Sequence, residues 1–200
     1  GLCGAFNAGV VGAAREFVAG QRARVQTMTV GTRTAEMARR ARLNVGREFP
    51  AIHERRRGAD VQEIARHVLG AWASGQFDAV HVCSAEFLSR VSNRPTVERM
   101  LPARLPEVAV DPRPVLFEPD AVRLAGAMLP QYVIARLFQA LLSSAASEHS
   151  ARLMAMSAAT DNAQEMLTQL TRQINRARQA QVTRELLDVV SGADALQMQR

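Results

Sequence analysis

Four arginines near the C-terminal end of the chain form the clearest group of residues with binding chemistry. They are Arg172, Arg176, Arg178 and Arg184, and no acidic side chain lies between the first and the last of them. Gln179 and Thr183 lie among them. Guanidinium groups bind carboxylates through paired hydrogen bonds, and amide and hydroxyl groups add further donors. We call these four residues the arginine collar, and they indicate either a contact with an anionic partner or only a solvated face.

The sequence offers no comparable case for catalysis or for a cofactor. Its glycine-rich opening, GLCGAFNAGVVG, lacks the Gly-Lys-Ser/Thr ending of a P-loop and the glycine spacing of a dinucleotide site, so it favours a structural turn into a helix. Cys3 and Cys83 are far apart, and the four histidines are scattered without the spacing of metal ligands. We therefore predict no catalytic residue, no metal site and no cofactor.

The charge of the chain widens the choice of partners. Its 200 residues include 25 basic and 19 acidic side chains, which gives a formal charge of +6, and every basic residue is arginine. Nucleic acid, an anionic membrane or an acidic protein would all suit such a chain. A basic helical nucleic-acid-binding protein is thus the alternative function, although aromatic residues for stacking on bases make up only 4% of the chain.

The first half of the chain alternates between strand and helix patterns. Residues 25–30 read as a short strand ending at Gly31, residues 61–72 as a helix and residues 77–82 as a buried strand. This alternation predicts an α/β sheet. The proline-rich stretch 95–119 favours an edge strand and connectors, and Pro119 and Pro130 fit the first turns of two successive helices.

The last third of the chain reads as one long helix. Residues 131–191 contain no proline or glycine, and Gly192 is the first residue to interrupt them. An apolar seam with coiled-coil spacing runs along this segment, and its members are Met156, Ala159, Ala163, Met166, Leu170, Ile174 and Ala177. A seam of this kind requires a partner helix. Beyond the collar lies an apolar tip, which includes Leu186, Leu187, Val190 and Leu196 and which needs an enclosing surface.

Two long runs in this helix carry a family resemblance. They are ASEHSARLMAMSAATDNAQEML at residues 146–167 and NRARQAQVTRELLDVVSGADAL at residues 175–196. Both closely resemble the C-terminal helix of the gamma subunit of F-type ATP synthases. The GLCGAFN opening and the sequence Phe-Glu-Pro-Asp at residues 117–120 are similar to the central domain of the same family, in the same order.

The resemblance implies an architecture and a function. The expected fold is a Rossmann-like central α/β sheet domain over residues 1–118, followed by a long helix over residues 119–200. In the family this helix forms an antiparallel coiled coil with an N-terminal helix that is absent from this sequence. The expected function is a noncatalytic rotor shaft that couples ion flow through the membrane ring to ATP synthesis or hydrolysis. Its partners would be the alpha and beta subunits, the epsilon subunit and the ring of c subunits.

The resemblance also implies roles for single residues. Arg178, Gln179 and Thr183 match family positions that contact loops of the beta subunits, while Glu148 and Arg152 match positions near an acidic motif of beta. The apolar tip would turn in a bearing formed by the catalytic ring. Such a subunit would lie at the cytoplasmic face of the bacterial plasma membrane and would touch the membrane only through the complex. The segments VGTRTAEMARR and CSAEF, and Ser143 or Ser144, where the family usually has an acid, depart from the family pattern.

Overall fold

The computed structural model of the chain describes residues 2–52, 57–103, 118 and 120–197. Its internal contacts divide the chain into two units, Gly1–Met154 and Ala155–Arg200. Helices and strands alternate along the first unit, and a long helix follows them. The predicted α/β class with a long C-terminal helix is therefore confirmed.

The first unit opens with a helix and a parallel pair of strands. The elements in order are α1 (Phe6–Ala19), β1 (Thr27–Val30), α2 (Thr32–Arg40) and β2 (Val45–Phe49). Strands β1 and β2 pair in parallel, with Thr29 opposite Glu48, and α2 supplies the crossover that a parallel pair requires. Gly31 follows the last residue of β1, so the predicted strand end is confirmed.

An antiparallel hairpin forms the second sheet of this unit. Helix α3 (Arg57–Ala73) precedes the two strands of the hairpin, β3 (Val80–Ser89) and β4 (Ser92–Leu101), and this helix covers the stretch predicted to be helical. The predicted strand at residues 77–82 was wrong at its beginning, because β3 starts only where Val80 meets its partner Leu101. The residues before Val80 are needed for the turn out of α3, in which Gly75 has a φ of 72°.

Helix α4 (Ala121–Gln197) is continuous over 77 residues, which confirms the prediction of one helix through residues 131–191. The prediction for Pro130 was wrong, because this proline lies inside α4 and not in its first turn. A proline in a helix removes one backbone hydrogen bond. Its neighbours Leu129, Tyr132 and Val133 pack on the core of the first unit, and this packing holds the helix together across the proline.

Two apolar clusters stabilise the first unit. The larger joins α3, β2 and the hairpin to α4, and its buried residues are Phe49, Ile64, Ala65, Val68, Met100, Leu101 and Val133. The smaller joins α1 to α2 and consists of the buried residues Val11, Ala38 and Leu43. Val133 of α4 is completely buried in the larger cluster. The first unit includes α4 as far as Met154.

Two predictions from the sequence fall partly outside this description. The division of the chain after residue 118 stays a prediction, because most of residues 104–119 are outside the described part. The same holds for Pro106, Pro112, Pro114 and Pro119 of the proline-rich stretch. Pro95 lies within β4, opposite Ala85, as expected for a strand at the edge of a sheet.

Candidate functional site

Helix α4 carries every residue that the sequence analysis singled out for partner contacts. In the second unit, each side chain described from Ser157 to Ser191 is exposed. This exposure is unusual for a helix with so many apolar residues, since a surface helix normally buries its apolar face. The second unit therefore presents two candidate contact surfaces, the apolar seam and the arginine collar.

The seam residues lie on the helix surface at intervals of three and four residues, so they share one face of α4. Met166 is 63% exposed and Ile174 is 65% exposed, and both are large apolar side chains. Ala159, Ala163 and Ala177 are also exposed, and their small size lets a second backbone come close. An apolar stripe of this length is the surface that a second helix would cover.

The arginine collar has guanidinium groups available for a partner. In the part of the chain that the structure describes, Arg172, Arg176 and Arg178 take part in no ion pair. Arg184 donates a hydrogen bond through Nε to the carbonyl oxygen of Ala180, 3.3 Å away. The uncompensated positive charge of the other three arginines favours an acidic surface on a partner.

Arg178, Gln179 and Thr183 lie together on one face of α4. They border a shallow surface that also includes Asn175 and Val182, which are spaced as neighbours along a helix face. The Thr183 hydroxyl donates to the carbonyl oxygen of Gln179 at 2.9 Å, so its own donor is occupied. The Arg178 guanidinium and the Gln179 amide thus supply the donors for a partner, and Thr183 supplies a methyl group and an acceptor oxygen.

Glu148 and Arg152 belong to the part of α4 that lies in the first unit. Nη2 of Arg152 donates to Oε1 of Glu148 over 2.5 Å, in the i, i+4 order with glutamate first, which suits a helix. The side chain of Glu148 is 42% exposed and that of Arg152 is 32% exposed. A partner carboxylate approaching Arg152 would have to share the guanidinium with Glu148.

The apolar tip of α4 is also on the surface. Leu186, Leu187 and Val190 are each more than half exposed. Leu196 lies within α4, but its side chain is outside the described part of the chain. Three exposed aliphatic side chains so close together bind best to a surface that is itself apolar.

Among the described residues, no group of three or more His, Cys, Asp or Glu side chains is placed to hold a metal ion. A cleft of about 20 Å³ lies beside Ser84, Glu98, Arg99 and Arg136, which is room for about one water molecule. None of the helices that the structure describes has the length and hydropathy needed to cross a bilayer.

Sequence reasoning missed one set of contacts on α4. Ser143 and Ser150 make hydrogen bonds to the backbone at the tip of the β3–β4 hairpin. Ser143 attracted notice only as a departure from a family pattern, and Ser150 attracted none. A serine in a helix is common, and the partners of these two lie 56 and 60 residues away in sequence, so no local signal marks the contacts.

Comparison with known sequences places the chain among related proteins. The family model described as ATP synthase matches residues 1–196. The ATP synthase gamma chain of Pelotomaculum thermopropionicum is 37% identical over 199 residues, which are 98% of this chain and 70% of that relative. The ATP synthase gamma chain of Anaeromyxobacter sp. strain Fw109-5 is 40% identical over 201 residues, or 98% of this chain and 69% of that relative.

Two solved ATP synthase structures share the fold of this chain. The central stalk and c-ring structure of the Tetrahymena thermophila mitochondrial ATP synthase aligns with a TM-score of 0.63 at 21% identity, covering 80% of this chain and 71% of that one. The rotor of the Euglena gracilis mitochondrial ATP synthase, in rotational state 1, aligns with a TM-score of 0.62 at 13% identity. That alignment covers 91% of this chain and 71% of the Euglena chain.

Proposed function

Because the chain belongs to the ATP synthase gamma chain family, we propose that it is the central rotor shaft of an ion-translocating F-type ATP synthase. It couples ion flow through the membrane ring to ATP synthesis or hydrolysis in the catalytic beta subunits. It is itself noncatalytic, and its partners are the alpha and beta subunits, the epsilon subunit and the c-subunit ring. The observation that carries the proposal is identity of 37% to 40% over 98% of the chain.

The form of α4 suits a shaft. An α-helix is held by hydrogen bonds that run along its axis, so a continuous helix of 77 residues transmits a twist along its length. A single helix bends easily, and a second helix packed on the apolar seam would stiffen it. The exposed seam residues, Met166 and Ile174 among them, support the predicted antiparallel coiled coil with an N-terminal helix of this subunit.

We assign the contact with the beta subunits to Arg178, Gln179 and Thr183. Their shared face and the unpaired guanidinium of Arg178 support this assignment. Charge-assisted hydrogen bonds are directional and weaken as the donor moves away, so they suit a contact that must form and break as the shaft turns. We assign Arg152, with Glu148, to a second contact near an acidic motif of beta.

The apolar tip has a different role in this proposal. Leu186, Leu187, Val190 and Leu196 would turn within an apolar sleeve of the alpha and beta subunits. Apolar contacts have no preferred direction, so the energy changes little as the tip rotates. Such a sleeve holds the end of the shaft in place without opposing its rotation.

Reconstitution of the catalytic complex tests the proposed beta contact. We expect the double variant Arg178→Ala with Gln179→Ala to lower the ATPase activity of the assembled complex several-fold, while circular dichroism shows unchanged helix content. The matched control is Arg172→Ala, which removes the same charge from the collar at a position without an assigned beta contact. Activity equal to wild type in the double variant would overturn the assignment of these two residues.

The alternative function, binding of nucleic acid, finds no support in the fold or in the relatives described above. For location, the relatives are bacterial gamma chains. We propose that the subunit lies at the cytoplasmic face of the plasma membrane and is held there by the complex alone. Release from inverted membrane vesicles together with the catalytic subunits, at low ionic strength, would be the expected result, and retention after their removal would contradict it.

A further inference from the structure

Two serines of α4 hold the tip of the β3–β4 hairpin. The hydroxyl of Ser143 accepts a hydrogen bond from the backbone N–H of Phe87, with Oγ and N 2.8 Å apart. The hydroxyl of Ser150 donates a hydrogen bond to the backbone carbonyl of Arg90. Both acceptor and donor groups on the hairpin are backbone atoms, so these bonds fix the path of the chain at the tip whatever side chains it carries.

A third contact continues the same line along α4. Arg136 forms an ion pair with Glu98 of β4. Arg136, Ser143 and Ser150 follow at intervals of seven residues, which is about two helical turns or 10 Å per interval. The three side chains therefore lie on one face of α4, and the hairpin runs along this face. Ser147, between the two serines, is completely buried, and its small side chain allows the close approach.

Packing at the two ends of the hairpin is unequal. The base, at Met100 and Leu101, is buried in the larger apolar cluster together with Val133 of α4. At the tip, Leu88 is 52% exposed and Val91 is 75% exposed, so apolar burial contributes little to holding this end. The hydrogen bond that Ser143 accepts and the one that Ser150 donates are directional contacts that hold the tip to α4.

We propose that Ser143 and Ser150 form a latch that transmits torque between α4 and the hairpin when the shaft turns. This inference rests on the proposed rotor function. A twist of α4 displaces the hairpin most at the end farthest from the buried base, so the tip is where a restraint has the greatest leverage. The latch makes the hairpin turn with α4, and without it part of the twist would be absorbed in bending the hairpin away from the helix.

The test is the double variant Ser143→Ala with Ser150→Ala in the full chain, assembled into the complex and reconstituted in vesicles. We expect amide hydrogen exchange at Phe87 to quicken about fivefold, the scale of one intramolecular hydrogen bond. We also expect fewer ions to be pumped per ATP hydrolysed. The ATPase activity should be retained, because the proposed beta contact at Arg178, Gln179 and Thr183 is unchanged. The matched control is Ser144→Ala, since the side-chain hydroxyl of Ser144 makes no hydrogen bond with any described residue.

The possible outcomes test the latch, its role in transmitting torque and the rotor function separately. Unchanged exchange at Phe87 would overturn the latch, and faster exchange with unchanged ion pumping would overturn its role in torque. The variant Ser143→Thr keeps the hydroxyl, so it should keep slow amide exchange at Phe87 and normal coupling of ATP hydrolysis to ion pumping. This result would separate loss of the latch from a general loss of folding. Wild-type chain that fails to support rotation-coupled pumping would instead refute the rotor function, while the exchange measurement would still test the latch.

Discussion

The thiol of Cys83 on β3 donates a hydrogen bond to the carbonyl oxygen of Val10 on α1, with Sγ and oxygen 3.4 Å apart. This contact joins the hairpin to the first helix across 73 residues of sequence. Burial between the two elements raises the pKa of the Cys83 thiol from 9.0 to about 11. The neutral thiol is therefore part of the packing between α1 and β3, and it is a poor nucleophile at neutral pH.

The raised pKa predicts a loss of stability in alkali. Below pH 9 the thiol keeps its proton in the folded and unfolded chains alike, but between pH 9 and about 11 the unfolded chain loses the proton first. The free energy of unfolding should therefore fall as the pH rises through this window. Urea unfolding at pH 8, 9 and 10 measures it, with Cys83→Ala as the control that should lose this part of the pH dependence. An equal pH dependence in both proteins would contradict the role of the thiol.

Thr29 offers a way to stabilise the first unit. It is buried in β1, and its hydroxyl has no hydrogen-bond partner among the described residues. Since an unsatisfied buried hydroxyl costs about 1–3 kcal/mol, Thr29→Val should raise the free energy of unfolding by about 1 kcal/mol. Chemical unfolding measures the change. The control Thr27→Val, at a partly exposed position of the same strand, should have a smaller effect, and a destabilised Thr29→Val would contradict the prediction.

Gly31 is required by the backbone between β1 and α2. Its φ of 90° with ψ of 139° lies in a region that residues with a Cβ avoid, although a Cβ would meet only Oγ1 of Thr34, 4.0 Å away. Gly31→Ala should therefore destabilise the chain by about 1–3 kcal/mol through backbone strain alone. Gly12→Ala, in the middle of α1 where a Cβ meets nothing within 4 Å, should instead be neutral or stabilising. Similar thermal midpoints for the two variants would refute this account.

The apolar seam predicts a difference between folding and assembly. Met166 is exposed, so Met166→Glu should leave the thermal unfolding of the isolated chain unchanged but should weaken its incorporation into the complex. Thr168→Glu adds the same charge on the opposite side of α4 and should assemble normally. Co-purification with the alpha and beta subunits measures incorporation. Equal yields from both variants would show that the seam is not a contact surface.

Local patterns were sufficient for several parts of the fold. The absence of proline and glycine over residues 131–191 predicted the long helix, and Gly31 predicted the end of β1, because both depend on the conformational limits of single residues. The position of Pro130 was not predictable in this way. A proline ends a helix unless packing on both sides compensates, and that packing comes from distant segments such as Met100 and Leu101.

The sequence by itself determined the alternation of helix and strand, the long apolar and basic helix, and the family to which the residues at 146–167 and 175–196 point. These features follow from side-chain periodicity and charge, which are written in neighbouring residues. Only the tertiary structure decided that Cys83 lies against Val10 and that Ser143 holds Phe87. Such contacts depend on which distant backbone atoms come within hydrogen-bond distance, and this is set when the apolar clusters pack and not by any local preference.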